Sequence, residues 1–213
     1  MPVQMTGSSI VTAGAFNARI ITPSWLVGEG IVSLDSPGDG VEGELTFPAS
    51  NPADTKMRFE IAGFRWEVSA SRVFIGSDGP DSPADLVARL LDALPHTPIV
   101  AVGSNFDFRV ERGDGDKLPL GLRLGRQPTP GLAEITESRA TLAGVTGGGT
   151  ACTIAVAARD NEILANANYH RPMQASDRRA VIESAKAAAA EFIADRRTAE
   201  ETVADLLGGE GAA

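Results

Sequence analysis

The chain has 213 residues, 43% apolar and 22% charged, which suits a folded domain and excludes a wholly disordered or collagen-like polymer. Asp and Glu outnumber Lys and Arg by 28 to 19, for a net charge of -9. That charge repels phosphate backbones, so nucleic acid is not an expected partner.

Cys152 is the single cysteine, and His96 and His170 are the two histidines, so no intrachain disulfide can form and soft metal ligands are few. No metal site and no cofactor are expected. The opening MPVQMTGSSIVTAGAF has neither a basic leader nor a long apolar run, and no segment approaches the roughly 18 apolar residues of a membrane span. The expectation is a soluble, cytoplasmic protein with no membrane contact.

In chain order, the pattern from Ser9 to Ile21 predicts a strand followed by irregular chain. Thr22-Pro23-Ser24-Trp25 predicts a helix start, with threonine as the cap and proline at the first helical position. Gly28 and Gly30 should stop it. Short strands are expected at 30–34 and 41–47, on either side of the turn sequence SPGDG. Met57, Phe59 and Ile61 alternate with polar residues. Phe64, Trp66 and Val68 do so after a phase shift at Gly63, and Val73 and Ile75 resume the pattern after a turn at 69–72.

Ser82-Pro83-Ala84-Asp85 predicts a second helix, with serine capping, proline at the first position and Asp85 favouring the dipole. Leu86, Val87, Leu90, Leu91 and Leu94 make its apolar stripe, ended by Pro95. Beyond it, Ile99 to Val102 runs without a polar residue. Phe106, Phe108 and Val110 then alternate with Asp107, Arg109 and Glu111, as in a central strand. The Gly-, Asp- and Pro-rich stretch 113–130 is an excursion or an edge hairpin. Residues 132–145, 150–157 and 163–170 read as a three-stranded meander turned at TGGG and at 159–162. No sequence period repeats, although strands followed by a helix occur twice, once ending at Leu94 and once at the C-terminus, which leaves a duplicated α+β plan open.

At the C-terminus, Ser176 or Asp177 can cap a helix in which Val181, Ile182, Ala185, Ala188, Ala189, Phe192 and Ile193 keep helical spacing. Arg196 and Arg197 interrupt the stripe before Val203, Leu206 and Leu207 resume it. The expected helix, 176–207, therefore overhangs the core and offers Val203, Leu206 and Leu207 to a partner or a second copy. A flexible tail, 208–213, follows. Together the elements predict a single α+β domain over 1–207: a largely antiparallel sheet with two main helices packed on one face.

The sequence offers little chemistry. Cys152 falls in phase with Ile154 and Val156, as a core thiol, while His170 falls in phase with Asn166 and Asn168, so the two cannot act as nucleophile and base. Gly147-Gly148-Gly149 is not followed by the Lys-Ser/Thr and helix of a phosphate loop. Neither Asp78, Asp81 and Asp85 nor Asp114 and Asp116 keep calcium-loop spacing, and nothing around Glu134 and Glu137 raises a carboxyl pKa. Asn166, Asn168 and His170 remain, as a row of hydrogen-bonding side chains along one strand face.

AFNARIITPSW, LPHTPIVAVGSNF and NANYH resemble a bacterial family without an assigned activity, in which an Asn-containing turn precedes a Pro-Trp helix start and a strand runs from HTP to GxN. The resemblance spans most of the chain. It singles out Asn17, Pro23, Trp25, His96, Pro98, Gly103 and Asn105, with Ala18 departing from a proline of that pattern, and it implies no activity.

The leading functional expectation is a non-enzymatic binding or assembly subunit acting through protein–protein contacts, with a protein partner or as a homo-oligomer. The alternative is a small-ligand-binding protein or enzyme with a pocket near Trp25, His96 and Asn105.

Overall fold

The structure, a computed structural model, describes residues 3–33, 42–46, 56–79, 81–111, 137–146, 150–159, 162–174 and 177–208. Alternation of apolar and polar side chains builds nine strands: β1 (Val3–Gly14), β2 (Glu42–Thr46), β3 (Lys56–Ile61), β4 (Phe64–Ser69), β5 (Arg72–Ser77), β6 (Ile99–Glu111), β7 (Glu137–Val145), β8 (Ala151–Arg159) and β9 (Glu162–Pro172). The described helices are α1 (Pro23–Gly28), α2 (Ala84–Ala93), α3 (Arg178–Ala190) and α4 (Phe192–Gly208). The strands form one sheet in the order β2-β3-β4-β5-β1-β6-β9-β8-β7, and all neighbours are antiparallel. The protein is thus α+β.

This order contains a repeat. β1 and β6 pair at the centre, and each is followed by a meander whose last strand returns to its free side, β5 beside β1 and β9 beside β6. A helix comes next, α2 or α3, and the two helices pack together. Ile10 pairs with Ile75, and 94 residues further along both strands Ser104 pairs with Tyr169. Ile10 and Ser104 also pair with each other, so a pseudo-two-fold axis passes between them. The duplication that no sequence period showed is present in the register itself.

Opposed residues in antiparallel strands point to the same face. The ladders therefore put Phe59, Trp66, Ile75, Ile10, Ser104, Tyr169 and Cys152 in a single row. Helices cover this face. Phe106 meets Tyr169 edge to face at 6.1 Å and Phe192 of α4 at 4.9 Å, while Phe59 stacks on Trp66 at 5.9 Å. Val87, Leu90 and Leu91 of α2 join the same buried cluster.

Several local expectations are met. Thr22 caps α1, its hydroxyl accepting the Trp25 N–H, with Pro23 at the first turn. The phase shift at Gly63 is a tight hairpin in which Ala62 and Gly63 both have positive φ, 52° and 74°. A two-residue turn that follows the sheet twist takes this geometry.

Others are corrected. Of the strand expected at 30–34, the described residues 30–33 are not one: Gly30 turns the chain at φ 67°, and the N–H groups of Ile31 and Val32 both bond the Leu26 carbonyl at the end of α1. Their apolar side chains are buried all the same. α2 begins at Ala84 with Pro83 at the cap position, and the Ser82 hydroxyl accepts the Ala84 N–H.

The C-terminal run is two helices, so three long helices and not two serve the sheet. Asp177 caps α3 through the Ala180 N–H at 2.9 Å, and the chain turns at Glu191 before α4. That break redirects the second half. Phe192, Asp195, Ala199, Val203 and Leu207 line one side of α4 and are buried, and Leu206 packs against them. The expected overhang is absent, and Val203, Leu206 and Leu207 belong to the core, not to a docking face. Ile193, placed in the stripe by spacing, is 50% exposed. The stretch 113–130, the TGGG turn, Ser176, Asp114, Asp116, Glu134 and the tail from 209 lie outside the described residues.

Asp195 carries the stripe through the arginines because it is paired. Its two carboxylate oxygens accept from both terminal guanidinium nitrogens of Arg171 at 2.6 Å, with side chains only 7% and 17% exposed. Removing one member of a buried pair leaves the other charge uncompensated. Asp195→Ala should therefore lower stability by about 3–5 kcal/mol, and replacing both residues by apolar ones of similar volume should recover the loss. Leu90→Ala should cost about 2–5 kcal/mol through lost transfer and a residual cavity. Denaturant unfolding of these variants checks both figures.

Candidate functional site

The face opposite the helices carries the outward members of each alternation. Across its centre the ladders align Ser9, Asn105, Asn168 and Thr153, and beside them Gly7, Asp107, Asn166, Ala155 and Thr141. Asn168 Nδ2 donates to Asn105 Oδ1, and Asn166 Nδ2 donates to Asp107 Oδ1 at 2.8 Å. Two cross-strand pairs thus lie side by side. Their shared bonds orient the amides, so Asn105 presents its Nδ2 and Asn168 its Oδ1 away from the pair.

The pseudo-two-fold supplies an internal comparison. Asn105 and Asn168 correspond to Val11 and Phe74, 94 residues earlier, which are themselves cross-strand partners. The same place in the sheet therefore accepts an apolar pair. His170 extends the row on the other side, opposite Gly103 and Ala151, and is exposed.

Beside Asp107 and Asn166 the face sinks into a cavity of about 580 Å³, lined among others by Thr6, Arg65, Asp78 and Thr141. Arg65 pairs with Asp78 at 2.8 Å. Arg65 stands on β4 and Thr141 on β7, six strands apart in the sheet order. In a flat sheet that separation would be about 29 Å, so the sheet curls around the cavity. Asn166 and Asn168 were legible as outward members of an alternating strand. Asp107 belonged to the same kind of alternation, but its convergence with Arg65 and Thr141 depends on curvature.

Trp25, His96 and Asn105 are not brought together. The Trp25 side chain packs on the core cluster and His96 is exposed in the turn after α2. Asn105 lies six residues into β6, about 20 Å along the strand from Ile99, on the uncovered face. Cys152 and His170 are likewise apart: Cys152 opposes Tyr169 on the covered face, while His170 is on the other.

Cys152 is a quiet thiol. Burial pushes its pKa up, the hydrogen bond from Tyr169 opposes this, and the Asp195 carboxylate adds to it. Tyr169 is also raised, chiefly by burial and then by Cys152. Both groups keep their protons to higher pH in the folded chain than in the unfolded one. Their contribution to stability is therefore intact below the ordinary thiol pKa of about 8.5 and falls as pH rises beyond it. Unfolding curves from neutral to alkaline pH should show that loss, with a shallower onset in Cys152→Ala. The native thiol should label slowly with an alkylating reagent until the chain is unfolded.

Among the described residues no group of three or more His, Cys, Asp or Glu is placed to hold a metal ion, and no helix is long and apolar enough to cross a membrane. Comparison with protein-family models and with curated proteins finds no match for this chain.

Proposed function

We propose that the protein is a binding or assembly subunit that works through protein–protein contacts on the uncovered face of its sheet, and not through chemistry on a substrate. The observation that carries this reading is the pair Asn105–Asn168, oriented by its own hydrogen bond where the other half of the molecule has Val11 and Phe74. Since the sheet accepts an apolar pair at that place, the polar pair is better accounted for by recognition than by folding. Asp107, Asn166 and His170 extend the same surface. We place this work in the cytoplasm, where a lone thiol such as Cys152 stays reduced.

Grafting the first half's pair onto the second tests the reading. Asn105→Val with Asn168→Phe should keep the melting temperature within about 4 °C, the shift that ~1 kcal/mol gives in a chain of this length. The same variant should lose the protein that co-purifies with wild type from its native host. An unchanged set of co-purifying proteins would count against this face.

A second reading, a small-ligand-binding protein, is favoured by the cavity of about 580 Å³, a size within the roughly 300–1,000 Å³ of ligand pockets. It places the ligand beside Asp107, Asn166 and Arg65, away from Trp25 and His96. A ligand held there would raise the melting temperature of wild type and not that of Asp107→Ala.

A further inference from the structure

The pseudo-two-fold extends from the sheet into the helices. α3 starts 94 residues after α2, Arg178 against Ala84, and their cap positions, Asp177 and Pro83, keep the same offset. The two helices pack on each other, so a residue near the axis meets its own counterpart, as Ile10 meets Ser104 in the sheet. One such meeting is charged. Lys186 Nζ donates to Asp92 Oδ1 at 2.7 Å, and these two residues are themselves 94 apart. Were the halves identical, this place would hold two like charges.

The same inversion runs along the whole of α2. Its charged residues are Asp85, Arg89 and Asp92, and their counterparts on α3 are Arg179, Glu183 and Lys186. Every one changes sign. The sheet carries no such distinction, because β1 has no charged residue from Val3 to Gly14. Since the halves share a register, β1 could pair with β1 of a second copy much as it pairs with β6, and two chains would then exchange like halves.

We propose that the inverted charges of α2 and α3 decide which halves pair: α2 takes α3 and rejects a second α2, which keeps β1 on β6. Specificity of this kind combines attraction in the right pairing with repulsion in the wrong one. The axis pair is partly exposed, 25% for Lys186 and 61% for Asp92, so a single contact is modest. Pairing of like halves, however, forfeits it twice and opposes like charges twice. The proposal concerns how the halves recognise each other and stands whether or not the uncovered face binds a partner.

The test uses the full chain. Asp92→Lys puts two lysines on the axis, and Lys186→Asp puts two aspartates there. Each should lower the thermal midpoint, and the chain with both substitutions should lose less than the two single losses together, since the pair is restored with its signs reversed. The decisive measurement gives the two single variants different affinity tags, mixes them in denaturant and refolds them together at high protein concentration. Within either variant the axis opposes like charges; between the two variants every axis contact is opposite in sign. Capture through one tag should therefore bring down the other chain several-fold more than it does for two tagged wild-type chains refolded together. Variants mixed only after folding should stay at the wild-type level. Three results would overturn the proposal: co-capture at the wild-type level after joint refolding, equal co-capture whether the variants are mixed before or after folding, or single losses that simply add in the double variant.

Discussion

Everything in this molecule hangs on the antiparallel pairing of β1 with β6. The ladder runs from Val3–Val110 to Gly14–Ile99, with shifts only near its two ends. Because side chains alternate with a period of two, this register decides which residues of both halves share a face. A slip of β6 by one would send Phe106, Phe108 and Val110 to solvent and bring Asn105, Asp107 and Arg109 under the helices. The burial of Ile10, Val102, Phe106, Phe108 and Val110 on one side makes that slip prohibitive, at roughly 1.5–3 kcal/mol for each large side chain left exposed. The meanders, and then the helices, are positioned by the strands they extend.

The helical layer carries a different constraint. Of the two charged members of its ion pair, Asp195 comes from α4 and Arg171 from the end of β9, so the bidentate contact ties the last helix to the second half of the sheet. An apolar pair of similar volume would hold α4 as well or better. What the ion pair adds is geometry: two parallel N–H···O bonds admit one orientation of α4, where apolar contacts would tolerate sliding. With Phe192 packed on Phe106 three residues earlier, the helix is held at two points of different chemistry.

Much of the fold was legible because it rests on local rules. The alternations around Trp66, Phe106 and Ile163, the Thr22 cap and the Leu90 stripe all follow from side-chain period and capping, and all are found in the structure. The parts that were not legible depend on partners distant in sequence. Asp195 reads as an interruption of an apolar stripe until Arg171, 24 residues earlier, is placed against it. With that pair hidden, Val203 and Leu207 look like a detached patch, when they continue the buried side of α4. Ile31 and Val32 have the composition of a strand, but the carbonyl of Leu26 claims their N–H groups. On the candidate face, the row Asn166–Asn168–His170 could be read from one strand. Its junction with Asp107 and Asn105 required knowing that β6 and β9 are neighbours, and the cavity required the curl that brings β4 toward β7.

The two halves share a register and differ in side chains, and the differences fall unlike on the two faces. On the covered face the counterparts are a mixture that packing can absorb: Ile75 for Tyr169, Trp66 for Cys152, Ile10 for Ser104. The counterparts differ in volume in both directions, Trp66 being larger than Cys152 and Ile75 smaller than Tyr169, so each half packs its own set of side chains. On the uncovered face both pairs point away from the helices. There Val11 and Phe74 stand against Asn105 and Asn168, and an oriented amide pair offers donors and acceptors that an apolar pair does not. The shared register thus decides which face a residue occupies and leaves its polarity there open, an apolar pair at Val11 and Phe74 and an amide pair at Asn105 and Asn168.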